Sequence, residues 1–121
     1  MILSARIRLS LALLYFLIIS FLFCLPGSVL PKEDWLSKIY FDKWVHIGFF
    51  AVLVVLWLWA LLPSKKVLVW LLLAAAAVYG ITVEIVQDQF IPNRSFDIGD
   101  WMADMTGSFI GLWFWNRYIK K

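Results

Sequence analysis

The sequence predicts an all-α polytopic membrane protein, a bundle of four transmembrane helices with a short interfacial helix between the first two. Three observations lead there. Hydrophobic residues make up 64% of the 121-residue chain, and its mean hydropathy is +0.87, more apolar than a soluble domain of this size. Four apolar runs, at 9–25, 44–62, 67–86 and 98–115, approach the roughly 20 residues that cross about 30 Å of hydrocarbon. The charges are also segregated along the chain. With the N-terminus inside, Arg6, Arg8, Lys65, Lys66, Arg117, Lys120 and Lys121 fall on the inner side, and Lys32, Lys38, Lys43 and Arg94 on the outer side. The side richer in Lys and Arg is the cytoplasmic one, so both termini are expected in the cytoplasm. All eight acids then fall on the outer half.

The first span follows a short basic lead at residues 1–8. The pair resembles a secretory signal peptide, but the apolar run is long and no Ala-x-Ala-like cleavage site follows, so an uncleaved span is expected. Cys24 has no second cysteine to pair with in this chain and reads as a small buried apolar residue. Pro26-Gly27 ends the helix. Residues 32–43, KEDWLSKIYFDK, read as the interfacial helix, with Trp35 and Tyr40 at headgroup depth. The second span stops at Pro63-Ser64-Lys65-Lys66, a tight turn that makes the second and third spans antiparallel neighbours. The third carries Ala74 to Ala77 and Gly80, small residues that admit a neighbouring backbone. Pro92-Asn93 supplies the next turn. The fourth span closes with Gly107-x-x-x-Gly111, a close-contact pattern that serves either packing within the chain or an oligomer of several copies. Trp35, Trp44 and Trp101 mark the outer ends of the spans and Trp57, Trp59, Trp70, Trp113 and Trp115 the inner ends, as an aromatic belt requires.

Carboxylates inside spans are costly, at about 2.5 to 3.5 kcal/mol on insertion scales, so they face the bundle interior and commonly serve a function. Asp97, Asp100, Asp104, Gly107 and Gly111 recur at helical spacing and share one face of the fourth span. Trp101, Met105 and Phe109 fall on a neighbouring side, suited to lipid. Asp42 and His46 stand one turn apart at the entrance to the second span, and Glu84 and Gln87 lie at the outer end of the third. Asp97 reads as a helix cap, with Asp100 completing a capping-box-like arrangement. Asp104 lies roughly 6 Å deeper, where no cap is needed.

In order along the chain, DKWVH at Asp42 to His46, EIVQ at Glu84 to Gln87, PNR at Pro92 to Arg94 and DWMADMTGSFIG at Asp100 to Gly111 resemble the pattern of VanZ-like membrane proteins. That family combines D-K-x-x-H, E-x-x-Q, P-x-R and D-x-x-x-N-x-x-G, and the resemblance covers nearly the whole chain. It implies one VanZ-like transmembrane domain over 1–121 in a bacterial envelope protein, of a family named for a glycopeptide-resistance factor. Asp104 departs from the pattern, standing where the family commonly has asparagine and replacing an amide by an acceptor-only group.

The leading expectation is a site open to the outer leaflet that binds or acts on an envelope lipid or a lipid-linked cell-wall precursor. Lys43 and Arg94 would hold its phosphate. Glu84, Gln87 and Asp104 would accept hydrogen bonds, and His46 and Asp100 complete the substrate-binding set. A divalent cation on Glu84, Asp100 and Asp104 would balance the excess of acid. Two alternatives belong to other classes. One is an intramembrane enzyme with His46 as general base and Glu84 or Asp104 orienting it. The other is a structural or partner-binding subunit in which the polar residues fix helix register, with Glu84 paired to Arg94. Nucleic-acid binding is disfavoured, because the basic residues flank spans and form no compact patch.

Overall fold

The computed structural model describes residues 3–29 and 40–120. Most of the expected interfacial helix, Trp35 included, lies outside the described residues. Within them the chain forms four α-helices and no strand: α1 (Ala5–Phe23), α2 (Phe41–Leu61), α3 (Lys66–Phe90) and α4 (Ile98–Phe114). The first three are long and apolar enough to cross a membrane. With 17 residues, α4 reaches about 26 Å, and a π turn over Trp115–Ile119 carries the chain further.

Local chemistry sets the ends. The Ser4 hydroxyl accepts from the Ile7 N–H at 3.3 Å and caps α1. Cys24 closes that helix as an exposed residue, not the buried one expected, because α1 presents little of its surface to the bundle. The chain enters α2 through Tyr40 and leaves it through Leu62, both in the left-handed region with φ of 56° and 44°. The Leu62 N–H still closes on the Leu58 carbonyl at 2.8 Å before Pro63 prevents continuation. Asp97 caps α4 as expected, accepting from the Gly99 N–H at 2.9 Å. Gly27 donates to the Pro92 carbonyl at 3.0 Å, tying the segment after α1 to the turn before α4. A Cβ at Gly27 would collide with the Asn93 carbonyl.

The bundle is organised by α4, not by the turn between α2 and α3. The α2–α4 pair forms the most extensive interface, whereas α2 and α3, joined by a tight turn, touch far less. Around the bundle the order is α1, α2, α4, α3. The cause is the small-residue stripe. Gly107 and Gly111 are buried on α4 against the backbone carbonyls of Ile47 and Ala51 on α2. That stripe is therefore covered within the chain, the first of the two uses the pattern allowed.

Polar and apolar residues are placed as lipid would have them. Leu14, Phe21, Trp70 and Phe90 are exposed, while Ile19, Phe23, Phe50, Val54, Leu58 and Leu73 form the apolar core. Trp101 turns inward from the side expected to face lipid, because its indole N–H finds the Ala77 carbonyl at 3.0 Å. At the far end Arg8 donates to the Trp59 carbonyl at 3.0 Å and binds the start of α1 to the end of α2. Among the described residues the buried polar side chains are His46, Glu84, Gln87, Asp100, Asp104 and Ser108. All lie on α2, α3 and α4, toward the end of the bundle opposite Arg8.

Candidate functional site

Three helix ends meet here: the first turns of α2 and α4 and the last turns of α3. The site has two layers. In the outer layer the Lys43 ammonium donates to Asp42 Oδ2 at 2.9 Å, Asp97 Oδ2 at 2.7 Å and Asp100 Oδ1 at 2.7 Å. An ammonium has three protons, and all three are used. Lys43, a candidate for holding a phosphate, is the cation that neutralises the acids around it.

The hydrogen bond from Lys43 holds the Asp97 carboxyl below its ordinary value of 3.8, against partial burial and with help from the Gly99 N–H. A carboxyl whose pKa is depressed by folding contributes stability above its unfolded value, and this is lost as pH falls through the folded one. Asp97→Asn keeps a capping side chain but removes the charge. Its melting temperature in detergent should therefore fall less steeply below about pH 4 than that of the parent. An unchanged acid slope would remove Asp97 from the pH response.

The inner layer lies beneath. His46 Nδ1 and Asp104 Oδ1 are 2.6 Å apart, and His46 Nε2 stands 3.6 Å from Asp100 Oδ2. Phe23 of α1 stacks on the imidazole with ring centroids 5.0 Å apart. Glu84 Oε1 accepts from the Asp97 N–H at 3.2 Å. His46 is 4% exposed, and Glu84 and Asp104 are 0% exposed. Two atoms of this layer, Glu84 Oε2 and Asp104 Oδ2, are buried without a hydrogen-bond partner. Such orphans usually cost about 1 to 3 kcal/mol each, more when charged.

The expected site residues thus divide. His46, Glu84 and Asp104 come together, and their nearest ligand atoms all lie within 4.8 Å of one another. Asp100 groups with Asp42 and Asp97 around Lys43. Of the three carboxylates expected to share a cation, Glu84 and Asp104 stand with His46, whereas Asp100 stands with the Lys43 group. Gln87 donates to the Phe23 carbonyl at 2.8 Å. Arg94 donates to the carbonyls of Leu25 and Phe23 at 3.2 and 3.3 Å. Arg94 is not paired with Glu84, because its guanidinium satisfies the carbonyls left open at the end of α1.

Two contributors escaped sequence reasoning. Phe23 lies within a uniformly apolar run that gives no hint of its contact with His46. Gly80, read as packing, lies one turn before Glu84, and a Cβ there would stand 2.8 Å from Asp104 Oδ2. Its i, i+4 spacing to Glu84 was the available signal.

An apolar cavity of about 340 Å³ lies between α1, α2 and α3, lined by Leu13, Phe16, Leu53, Val54, Trp57 and Tyr79 among others. An aromatic column joins it to the polar cluster. Tyr79 packs on Phe50 at 5.7 Å, Phe50 on Phe23 at 6.2 Å, and Phe23 on His46.

Residues 7–119 match the profile of the VanZ/LLP1 family. No curated protein and no solved structure matches the chain.

Proposed function

The chain belongs to the VanZ/LLP1 family, and from that premise we propose that it binds an envelope lipid or lipid-linked precursor from the extracytoplasmic side of a bacterial inner membrane, with both termini in the cytoplasm. The observation that carries the reading is the pair of unpartnered carboxylate oxygens on Glu84 and Asp104, held 0% exposed beside His46. A network that served only helix register would be expected to satisfy its own acceptors. These two await a donor.

The chemistry of the cluster narrows the ligand. Lys43 and Arg94 are already engaged by carboxylates and carbonyls, which disfavours anchoring a phosphate there. Ligand atoms within 4.8 Å of one another suit one hydroxyl, one amine or one cation better than a whole sugar. The reading is therefore a lipid whose head offers a hydrogen-bond donor, with its apolar chain in the cavity beside Tyr79. An enzyme using His46 as a general base is less well supported. Both ring nitrogens face carboxylates, Asp104 at Nδ1 and Asp100 at Nε2, which leaves neither aimed at a substrate.

Glu84→Gln tests the reading, because it keeps the shape and the Asp97 contact while supplying a donor to its own cluster. Lipid extracted from purified protein should include a species enriched over bulk membrane lipid in the parent and at least tenfold depleted in Glu84→Gln, at equal protein yield. Asp104→Asn, which restores the residue common in the family, should retain that species. Equal lipid content in the parent and Glu84→Gln would end the proposal.

A further inference from the structure

We infer that His46, Glu84 and Asp104 form a binding site for one divalent first-row metal ion between α2, α3 and α4. The inference rests on the same cluster being a ligand site, and it names the ligand class from the donor set. One imidazole nitrogen and two carboxylate oxygens lie within 4.8 Å of one another. Metal–ligand bonds of about 2.0 to 2.2 Å place the donors around one ion roughly 3 to 4 Å apart, so the set needs to close by only about 1 Å.

Each carboxylate is already divided between an anchored oxygen and a free one. Glu84 is held through Oε1 by the Asp97 N–H, and Asp104 through Oδ1 by His46. Oε2 and Oδ2 remain without partners in the interior. Gly80 leaves the room that Oδ2 occupies, since a Cβ there would stand 2.8 Å from it.

The surroundings of the imidazole fit the same role. On binding, Nδ1 would exchange its contact with Asp104 Oδ1 for the ion, and Nε2–H would point at Asp100 Oδ2, now 3.6 Å away. Asp100 is itself held by Lys43 at 2.7 Å. A carboxylate behind a ligating histidine fixes the ring's orientation and raises its basicity. A divalent ion on two carboxylates and a neutral imidazole also leaves no net charge among the ligands, which suits a site with these exposures. The imidazole selects against Mg²⁺, Ca²⁺ and Mn²⁺, which prefer oxygen shells, and toward Zn²⁺.

Full-length protein in detergent, stripped with chelator and dialysed, tests this with Zn²⁺, Mn²⁺, Mg²⁺ and Ca²⁺ added singly. Bound metal is counted by mass spectrometry and the melting temperature recorded alongside. The expected result is one Zn²⁺ per chain with a raised melting temperature, and at least tenfold weaker binding of Mn²⁺, Mg²⁺ and Ca²⁺. His46→Gln and Glu84→Gln should each lose the ion while keeping the helical circular dichroism of the parent. Asp88→Asn, on an exposed acid outside the cluster, should retain it. A parent that binds no stoichiometric ion overturns the inference, as does equal binding by both cluster variants. No lipid substrate enters the assay. An ion without enriched lipid sinks the lipid reading alone, and enriched lipid without an ion sinks this one.

Discussion

Gly107→Val is expected to destabilise the protein by about 3 kcal/mol, the upper part of the range for overpacked cores. Even the first added carbon would collide with the Ile47 carbonyl on α2. The obstacle is backbone in a helix interior, so no side-chain rotation relieves it. The α2–α4 interface is the largest in the bundle and carries both Lys43 and His46 to the acids of α4, so separating the pair should also disperse the polar cluster. Gly48→Ala on α2 is the control. A Cβ there meets nothing within 4 Å, and the gain in helix propensity is about 1 kcal/mol. Melting of the purified variants in one detergent should place Gly107→Val well below the parent and Gly48→Ala at or above it. Equal stability of Gly107→Val would mean that α2 and α4 do not approach this closely.

The second large effect is expected at Lys43. Lys43→Met leaves Asp42, Asp97 and Asp100 facing one another without the ammonium that now lies 2.7 to 2.9 Å from each. Breaking a buried ion pair from one side costs about 3 to 5 kcal/mol. With Lys43 24% exposed and Asp97 44% exposed in their side chains, water screens part of the repulsion, and about 2 kcal/mol is the better expectation. Adding Asp100→Asn to Lys43→Met should recover part of the loss, because the most enclosed of the three charges is then gone. If the double variant is no more stable than the single one, repulsion among the acids is not the cause.

Much of this arrangement was legible in the sequence, for physical reasons that can be named. Apolar runs of span length forced helices, Asp97 at the start of an apolar run marked a cap, and carboxylates at spacings of three and four had to face inward because lipid offers them no partner. That logic brings His46, Glu84 and Asp104 together. It does not reveal which cation serves which acid. Arg94 was a candidate partner for Glu84, and only the packing of α1 decides that it turns to the carbonyls of Phe23 and Leu25. Helix order escaped for a similar reason. A short turn makes α2 and α3 adjacent in the chain, but α2 lays the Ile47 and Ala51 carbonyls against the glycines of α4 instead. The glycine pattern signalled a close contact without naming the partner helix.

The melting temperature of metal-free Glu84→Gln, prepared in chelator beside metal-free parent, bears most directly on whether the buried cluster is kept for a ligand. The glutamine carbonyl can still accept from the Asp97 N–H, its amide supplies a donor within a cluster that holds the unpartnered Asp104 Oδ2, and one buried charge is removed. Relief of an unsatisfied acceptor is worth about 1 to 3 kcal/mol. For a cluster held open for a ligand, Glu84→Gln should melt at or above the parent once metal is absent. Melting well below the parent under the same conditions would mean that the Glu84 charge supports the fold, and would contradict the reading of the His46, Glu84 and Asp104 cluster as a ligand site.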